Sequence, residues 1–237
     1  MAKNSPKDLK VRTASALVMI AVAGSALWVG GWVFAAFVAV VAVGLLWEWW
    51  GLISKFNSGV LGRVLWMLGG LVYIGMAVKG LITVRFAPFH AIYWTLWLIC
   101  VVIATDVGAY LFGRFIGGPK IAPQISPSKT WAGLLGGILL TGIVMIGMYD
   151  YPNWQVKGSA SVLDLGLEGL LSLGILWSFP LVVLAQAGDF FESWMKRKAG
   201  VKDSGTLIPG HGGLFDRLDG LLPVAIAFFP WIGGLLR

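Results

Sequence analysis

Acidic and basic side chains are concentrated between Gln186 and Gly220, in the stretch QAGDFFESWMKRKAGVKDSGTLIPGHGGLFDRLDG. Five acids (Asp189, Glu192, Asp203, Asp216, Asp219) and five bases (Lys196, Arg197, Lys198, Lys202, Arg217) fall there, with His211, one of only two histidines. Asp216 and Asp219 are three apart, so on a helix they share a face with Cβ atoms about 5–6 Å apart. Carboxylates that close repel, and a proton or a cation between them relieves the repulsion. Mg²⁺ suits such a pair, because it binds through one or two carboxylates together with substrate phosphates. Ion pairing with Arg217 and nearby lysines would satisfy the same acids, and spacing alone leaves these two readings level. Asp189, Glu192 and Ser193 form a second face at i, i+3 and i+4. Asp189 closes an apolar run, where an unpaired charge is costly, so it needs a metal or a lysine, and the metal is the favoured expectation. Glu192 precedes Lys196 by four residues, the favourable order for a helical ion pair, and reads as structural.

The segment GTLIPGHGG is a loop whose glycines let backbone N–H groups face an anion. His211 within it could bond a phosphate, carry a proton or stabilise the turn, and a lone loop histidine most often does the last. A parallel polar set runs from Asp106 to Thr130. Lys120 and Lys129 could screen a polyphosphate, while Ser126, Ser128 and Thr130 could donate hydrogen bonds to it. Juxtamembrane bases also fix topology or bind anionic lipid heads, which is the competing reading. Asp106 lies well inside an apolar run, so a partner or a cavity is expected for it.

The elements that must position these groups are apolar. Hydrophobic residues make up 58% of the 237 and charged ones 12%, where a soluble domain carries roughly a quarter charged. Mean hydropathy is +0.83. The fold class expected is all-α: a polytopic transmembrane helical bundle of about seven to nine spans with polar cytoplasmic loops. Runs over 13–30, 32–53, 64–84, 89–115, 131–149, 167–186 and 221–236 are long and apolar enough to read as spans. Between the fifth and sixth, the segment 150–167 reads as a featureless, mildly acidic loop. With the N-terminus inside, 14 of the 18 Lys and Arg face the cytoplasm and four (Lys79, Arg85, Lys157, Arg237) do not. That bias places both polar loops on the cytoplasmic side. The net charge of +7 therefore marks topology, and no nucleic-acid partner is expected. Residues 1–237 read as a single membrane-embedded domain, with N-terminal spans over 1–90 and a catalytic portion over 91–237. Glu48, in WEWWG, reads as an interfacial residue with an ordinary role, and the single Cys100 as a buried filler. The many small residues permit a homodimer without demanding one.

Taken together, Ser193-Trp-Met-Lys196-Arg197, Lys202-Asp203, Pro209-Gly-His211-Gly-Gly213 and Asp216-Arg217-Leu-Asp219 closely resemble the signature of CDP-diacylglycerol synthases, or phosphatidate cytidylyltransferases. The preceding GDFFES and the passage TDVGAYLFGRFIGG…KIAPQISPSKTWAG are similar to that family's other polar elements. Ala132 departs from it, standing where many members carry an acid or an amide. The resemblance covers scattered blocks of the C-terminal half, and the first 90 residues add only hydrophobicity to it. It implies transfer of CMP from CTP to phosphatidic acid in phospholipid biosynthesis, in the inner cell membrane, with Mg²⁺ required. On that footing Asp189, Asp216 and Asp219, assisted by Ser193, would hold one or two Mg²⁺ ions. Lys196, Arg197, Lys202 and Arg217 would neutralise phosphates, Asp203 would orient Lys202 or touch the metal shell, and His211 would belong to the catalytic loop. Ser126, Lys129 and Thr130 would contact the nucleotide.

Two other readings stay open at this point. A CTP-dependent kinase of a polyprenol-like lipid would keep the nucleotide and need a base for the alcohol proton. An ion or lipid transporter would use Asp106 and Asp189 to line a path, with no CTP turnover.

Overall fold

Membrane-spanning chains must satisfy every backbone polar group internally, and long apolar runs do so as helices. The computed structural model describes residues 6–87, 90–148, 164 and 166–235. The first five residues of the basic N-terminal segment lie outside the described residues, as does most of the loop expected at 150–167, Lys157 included. The elements in chain order are α1 (Pro6–Val29), α2 (Gly31–Ile53), α3 (Val60–Arg85), α4 (Ala91–Phe115), β1 (Lys120–Ala122), β2 (Ser126–Thr130) and α5 (Trp131–Met148). They continue with α6 (Gly166–Leu171), a π-helical turn (Ser172–Leu176), α7 (Ser178–Lys198), α8 (Phe215–Leu218) and α9 (Leu221–Leu235).

Six helices among the described residues are long and apolar enough to cross a membrane. At 1.5 Å per residue each reaches about the 30 Å of a hydrocarbon core. The seventh expected run forms α9, which at 15 residues is shorter than the other six. Two expectations need correcting. The chain is mostly helical but not all-α: β1 and β2 pair antiparallel, Lys120 opposite Thr130 and Ala122 opposite Ser126. The sixth span does not stop at Gln186; helix runs from Gly166 to Lys198, and Asp189, Glu192 and Lys196, whose spacing already read as helical, lie in its continuation.

The chain divides into two units, Met1–Ala87 with Phe191–Arg237, and Pro88–Phe190. In the first, α2 and α9 pack on α3, and α1 packs on α2. Its centre is Trp49, 2% exposed, which donates Nε1–H to the Trp66 carbonyl at 3.0 Å. Tyr73, Phe191 and Phe215 surround it with ring centroids 5.8–6.2 Å away. The end of α7 is pinned by Lys198, whose ammonium lies 4.9–5.2 Å from the rings of Phe56, Trp66 and Trp194, each contact worth about 0.5–2 kcal/mol. Arg85, at the end of α3, donates to the Leu27 carbonyl of α1.

In the second unit α4 packs along α5. Glycine permits the approach: a Cβ on Gly108 would stand 2.4 Å from the Gly136 carbonyl oxygen. The Thr105 and Thr141 hydroxyls meet at 3.0 Å across the same seam. Ser178 returns its hydroxyl to the Gly174 carbonyl at 2.6 Å, beside the π-helical turn. Leu17, Ile20, Val40, Leu139 and other large apolar side chains are exposed on these helices. That outer surface fits hydrocarbon rather than water.

Candidate active site

The signature stretch folds around one carboxylate. Asp216 Oδ2 accepts the Ser204 N–H, the Ser204 hydroxyl and the Gly213 N–H, each at 2.9 Å. Its Oδ1 accepts the Lys196 ammonium at 2.6 Å, and Lys196 also pairs with Glu192 Oε2 at 2.5 Å. Lys196 therefore stands between two carboxylates, one on its own helix and one twenty residues on. Burial opposes ionisation of Asp216, but its side-chain contacts with Glu192 and Lys196 and the hydrogen bonds from the Ser204 and Gly213 amides outweigh it. They hold the carboxyl far below the usual carboxylate range. Gly213 must be glycine here, since a Cβ would fall 1.9 Å from Ser204 Oγ and 2.7 Å from Glu48 Oε2.

Glu48 is the residue that sequence reasoning missed. It is 2% exposed, not interfacial; it accepts the Leu214 N–H at 2.9 Å and the Phe215 N–H at 2.8 Å, and lies 3.0 Å from the Ser204 hydroxyl that also faces Asp216. Leu214 and Phe215 open the short helix α8, so Glu48 supplies from α2 the carboxylate that a helix start favours. Its neighbour Trp49 packs on Phe215. The signal was an acid inside the apolar cluster WEWWG, where a buried charge must have partners.

The loop between these anchors turns tightly. Ile208 N–H donates to the Gly212 carbonyl and His211 N–H to the Ile208 carbonyl, both at 3.0 Å. Arg217 donates to the His211 carbonyl at 2.7 Å. Ser15 of α1 lies 2.9 Å from His211 Nδ1 and 2.9 Å from the Pro209 carbonyl. Arg12 Nε donates to the Gly210 carbonyl at 2.8 Å. The first 90 residues thus bring Arg12, Ser15 and Glu48 to the loop, more than hydrophobicity. Lys202, Asp203, His211 and Arg217 line a cavity of about 620 Å³. Arg197 is exposed at the end of α7 and Ser193 is half-buried one turn earlier.

The second unit carries the other polar set. Lys129, at the end of the hairpin, forms an ion pair with Asp189 of α7. The partner that Asp189 needed is here a lysine. Thr130 is 2% exposed, and its hydroxyl oxygen accepts the Gly133 N–H at 3.0 Å, capping α5. Ser126 is buried where β2 begins. Asp106 is exposed on α4, and its charged neighbours are Lys129 and Asp189.

Asp216 and Asp219, the pair expected to share a cation, both have protein hydrogen-bond partners in this structure. Asp216 spends both oxygens on protein donors, and Asp219 Oδ1 accepts the Gly220 N–H at 2.8 Å. Among the described residues no three His, Cys, Asp or Glu side chains converge as a metal-holding group. The donor chemistry nevertheless fits a hard cation. Glu192 and Asp216 present carboxylate oxygens to one positive centre, and that centre is the Lys196 ammonium.

A polytopic helical membrane protein whose carboxylates are held by lysines beside a basic, glycine-rich loop is the class that fold and site define. Residues 50–233 match the sequence profile of the cytidylyltransferase family, and the chain belongs to that family. A phosphatidate cytidylyltransferase of Rickettsia bellii is 33% identical over 238 residues, covering 99% of this chain and 95% of that protein. That of Rickettsia felis is 31% identical over 194 residues, covering 81% and 79%. That of Brucella suis is 36% identical over 168 residues, or 69% of this chain and 56% of the Brucella protein. The matched region is thus just over half the length of the Brucella relative.

Proposed function

We propose that the protein transfers CMP from CTP to phosphatidate, releasing pyrophosphate and forming CDP-diacylglycerol. The similarity to the Rickettsia bellii phosphatidate cytidylyltransferase over 99% of the chain carries this reading, and the site chemistry supports it. A phosphomonoester has its second pKa near ~6, so phosphatidate is largely dianionic at neutral pH. Its oxygen attacks the α-phosphorus of CTP, the bond to the bridging oxygen breaks, and pyrophosphate leaves with the electron pair. No general base is needed. The difficulty is the meeting of two polyanions, and fixed positive charge aimed at the transferring group is the remedy.

Lys202, Arg197 and Arg217 neutralise phosphate charge, Asp203 orients Lys202, and His211 bonds a phosphate oxygen from its held turn. In the first unit Asp216 and Asp219 with Ser193 are oxygen donors that would hold Mg²⁺; in the second unit Asp189 would be such a donor. When bound, the ion would neutralise triphosphate charge. Lys196 orients Asp216, and Lys129 orients Asp189. Ser126 and Thr130 shape the hairpin that presents Lys129 to the nucleotide. The chain works as one domain of the inner membrane, with α9 as a seventh, short span and both polar loops cytoplasmic, in keeping with the 14-to-4 distribution of bases. The small residues of the lipid-facing helices suit a homodimer.

The test is a CTP:phosphatidate assay on the detergent-purified chain with Mg²⁺ added and removed. CMP is expected on the lipid with pyrophosphate released in equal amount, and none without the metal. Appearance of the γ-phosphate on a lipid alcohol would instead make the protein a kinase. Lys129→Ala is expected to lower the initial rate at least about tenfold, the scale of one lost charge-assisted contact. Lys129→Arg should retain most of it. Equal rates for wild type and Lys129→Ala would reduce Lys129 to a residue of topology.

A further inference from the structure

The cavity beside the glycine loop has a wall that the signature does not contain. Arg12, from the first membrane helix, lines it together with Lys202, His211 and Arg217. We propose that this cavity holds the pyrophosphate portion of the nucleotide, and that Arg12 is a binding residue of it. The inference rests on the CMP-transfer reading and assigns that reaction's leaving group a place.

Charge is the first argument. Arg12, Lys202 and Arg217 are three cations and Asp203 is the one acid among the lining residues, which leaves the cavity at +2 with His211 neutral. Its volume, about 620 Å³, lies within the range of small-ligand sites. Its lining includes no Phe, Tyr or Trp on which a base could stack, and Ile208 is its large aliphatic residue. Gly205, Gly210 and Gly212 open the backbone to an anion. A polyphosphate is served by such walls, and a cytosine ring or an acyl chain is not.

The second argument is that Arg12 is held in place. Its Nε–H is spent on the Gly210 carbonyl at 2.8 Å, which fixes the plane of the guanidinium against the loop. Gly210 has φ +75°, and a Cβ there would stand 2.9 Å from Arg12 Cγ, so the arginine stem lies directly on the turn. Ser15, one turn further along α1, adds its contacts to the Pro209 carbonyl and His211 Nδ1. A planar fork held this way loses little freedom on binding phosphate. Negative charge builds on the departing pyrophosphate as the bond to the α-phosphorus breaks, and preset cations there stabilise the transition state.

A phosphate could reach the cavity from CTP or from the lipid headgroup, and kinetics separate the two. Inorganic pyrophosphate is the probe, tested on the purified full chain as an inhibitor of CMP transfer. It is expected to compete with CTP and not with phosphatidate. Arg12→Ala should raise both the inhibition constant of pyrophosphate and the KM for CTP about tenfold, the effect of one lost Arg–phosphate contact. The KM for phosphatidate should stay within about twofold. Arg12→Lys keeps the charge and the stem, should insert as the wild type does, and should fall between the two. A raised KM for phosphatidate with unchanged CTP and pyrophosphate constants would give the cavity to the headgroup and overturn the proposal. Wild-type constants in both variants would overturn it as well. Should the wild-type chain transfer no CMP at all, the functional reading fails on its own. The cavity is then still tested by whether pyrophosphate raises the melting temperature of the wild type more than that of Arg12→Lys; equal shifts would count against it.

Discussion

Asp216→Asn is expected to abolish CMP transfer, with a loss of at least about a hundredfold, the scale seen when one preorganised electrostatic contact is removed. The reason lies in how the carboxylate is used. Oδ2 gathers three donors from the Ser204 and Gly213 segments, and Oδ1 takes the Lys196 ammonium. An amide has one accepting oxygen and one donating nitrogen, so its NH₂ must face either the ammonium or the three loop donors. Either choice breaks the register between α7 and the loop and removes the charge that faces Lys196. The membrane helices do not depend on this contact, so the variant should insert and keep its helical circular dichroism. The near-ultraviolet signal of Trp49, which packs on Phe215 beside Asp216, should weaken. Near-normal turnover in Asp216→Asn would remove both the anchoring and the metal-holding roles. A pH expectation follows from the same contacts. Asp216 is held below the carboxylate range when folded, so the stability it brings is fully present above the unfolded value near ~4 and is lost as pH falls through the folded one. Melting temperatures between pH 6 and 8 should show no step traceable to Asp216, and the difference between wild type and Asp216→Asn should shrink only in acid.

The apolar runs located most helices to within a few residues, because the absence of water leaves a long apolar segment no other way to pair its backbone. The run 32–53 became Gly31–Ile53, and 131–149 became Trp131–Met148. What composition could not show was where charge is tolerated inside a helix. The apolar run ends near Gln186, yet α7 continues to Lys198 because Lys129, Glu192 and Asp216 satisfy the charges of Asp189 and Lys196 through space. The hairpin escaped notice because three and five residues are too few for an alternating pattern. Pairing Asp216 with Asp219 followed the three-residue spacing. The chain instead pairs Asp216 with Glu192 through Lys196, a relation that sequence distance conceals. Residue types marked the stretch in which these charges cluster, while the partners of each carboxylate depended on the fold.

Glu48→Ala is expected to be the most destabilising single substitution in the first unit. Its carboxylate is the acceptor for the Leu214 and Phe215 amides and lies within hydrogen-bond reach of the Ser204 hydroxyl, 166, 167 and 156 residues away in sequence. Each buried donor left without an acceptor costs about 1–3 kcal/mol. Two orphaned amides and the emptied side-chain volume together approach about 3 kcal/mol or more, a large fraction of the 5–15 kcal/mol that holds a typical domain. The loss is local before it is global. The loop from Val201 to Leu214 is anchored by Glu48 on one side and Asp216 on the other, so releasing Glu48 should open that loop while α1, α2 and α3 stay packed. Trypsin should then cut at the exposed Lys202 faster in the variant than in the wild type, with cleavage elsewhere unchanged. Glu48→Gln separates charge from shape: it keeps the volume and one accepting oxygen, but turns an NH₂ towards a donor. It should fall between alanine and wild type in melting temperature, and its kcat should drop more than its KM because the loop still assembles but less often in the working geometry. Wild-type melting, cleavage and turnover in Glu48→Gln would show that Glu48 only fills space. In that case the order of the loop would have to come from Asp216 alone.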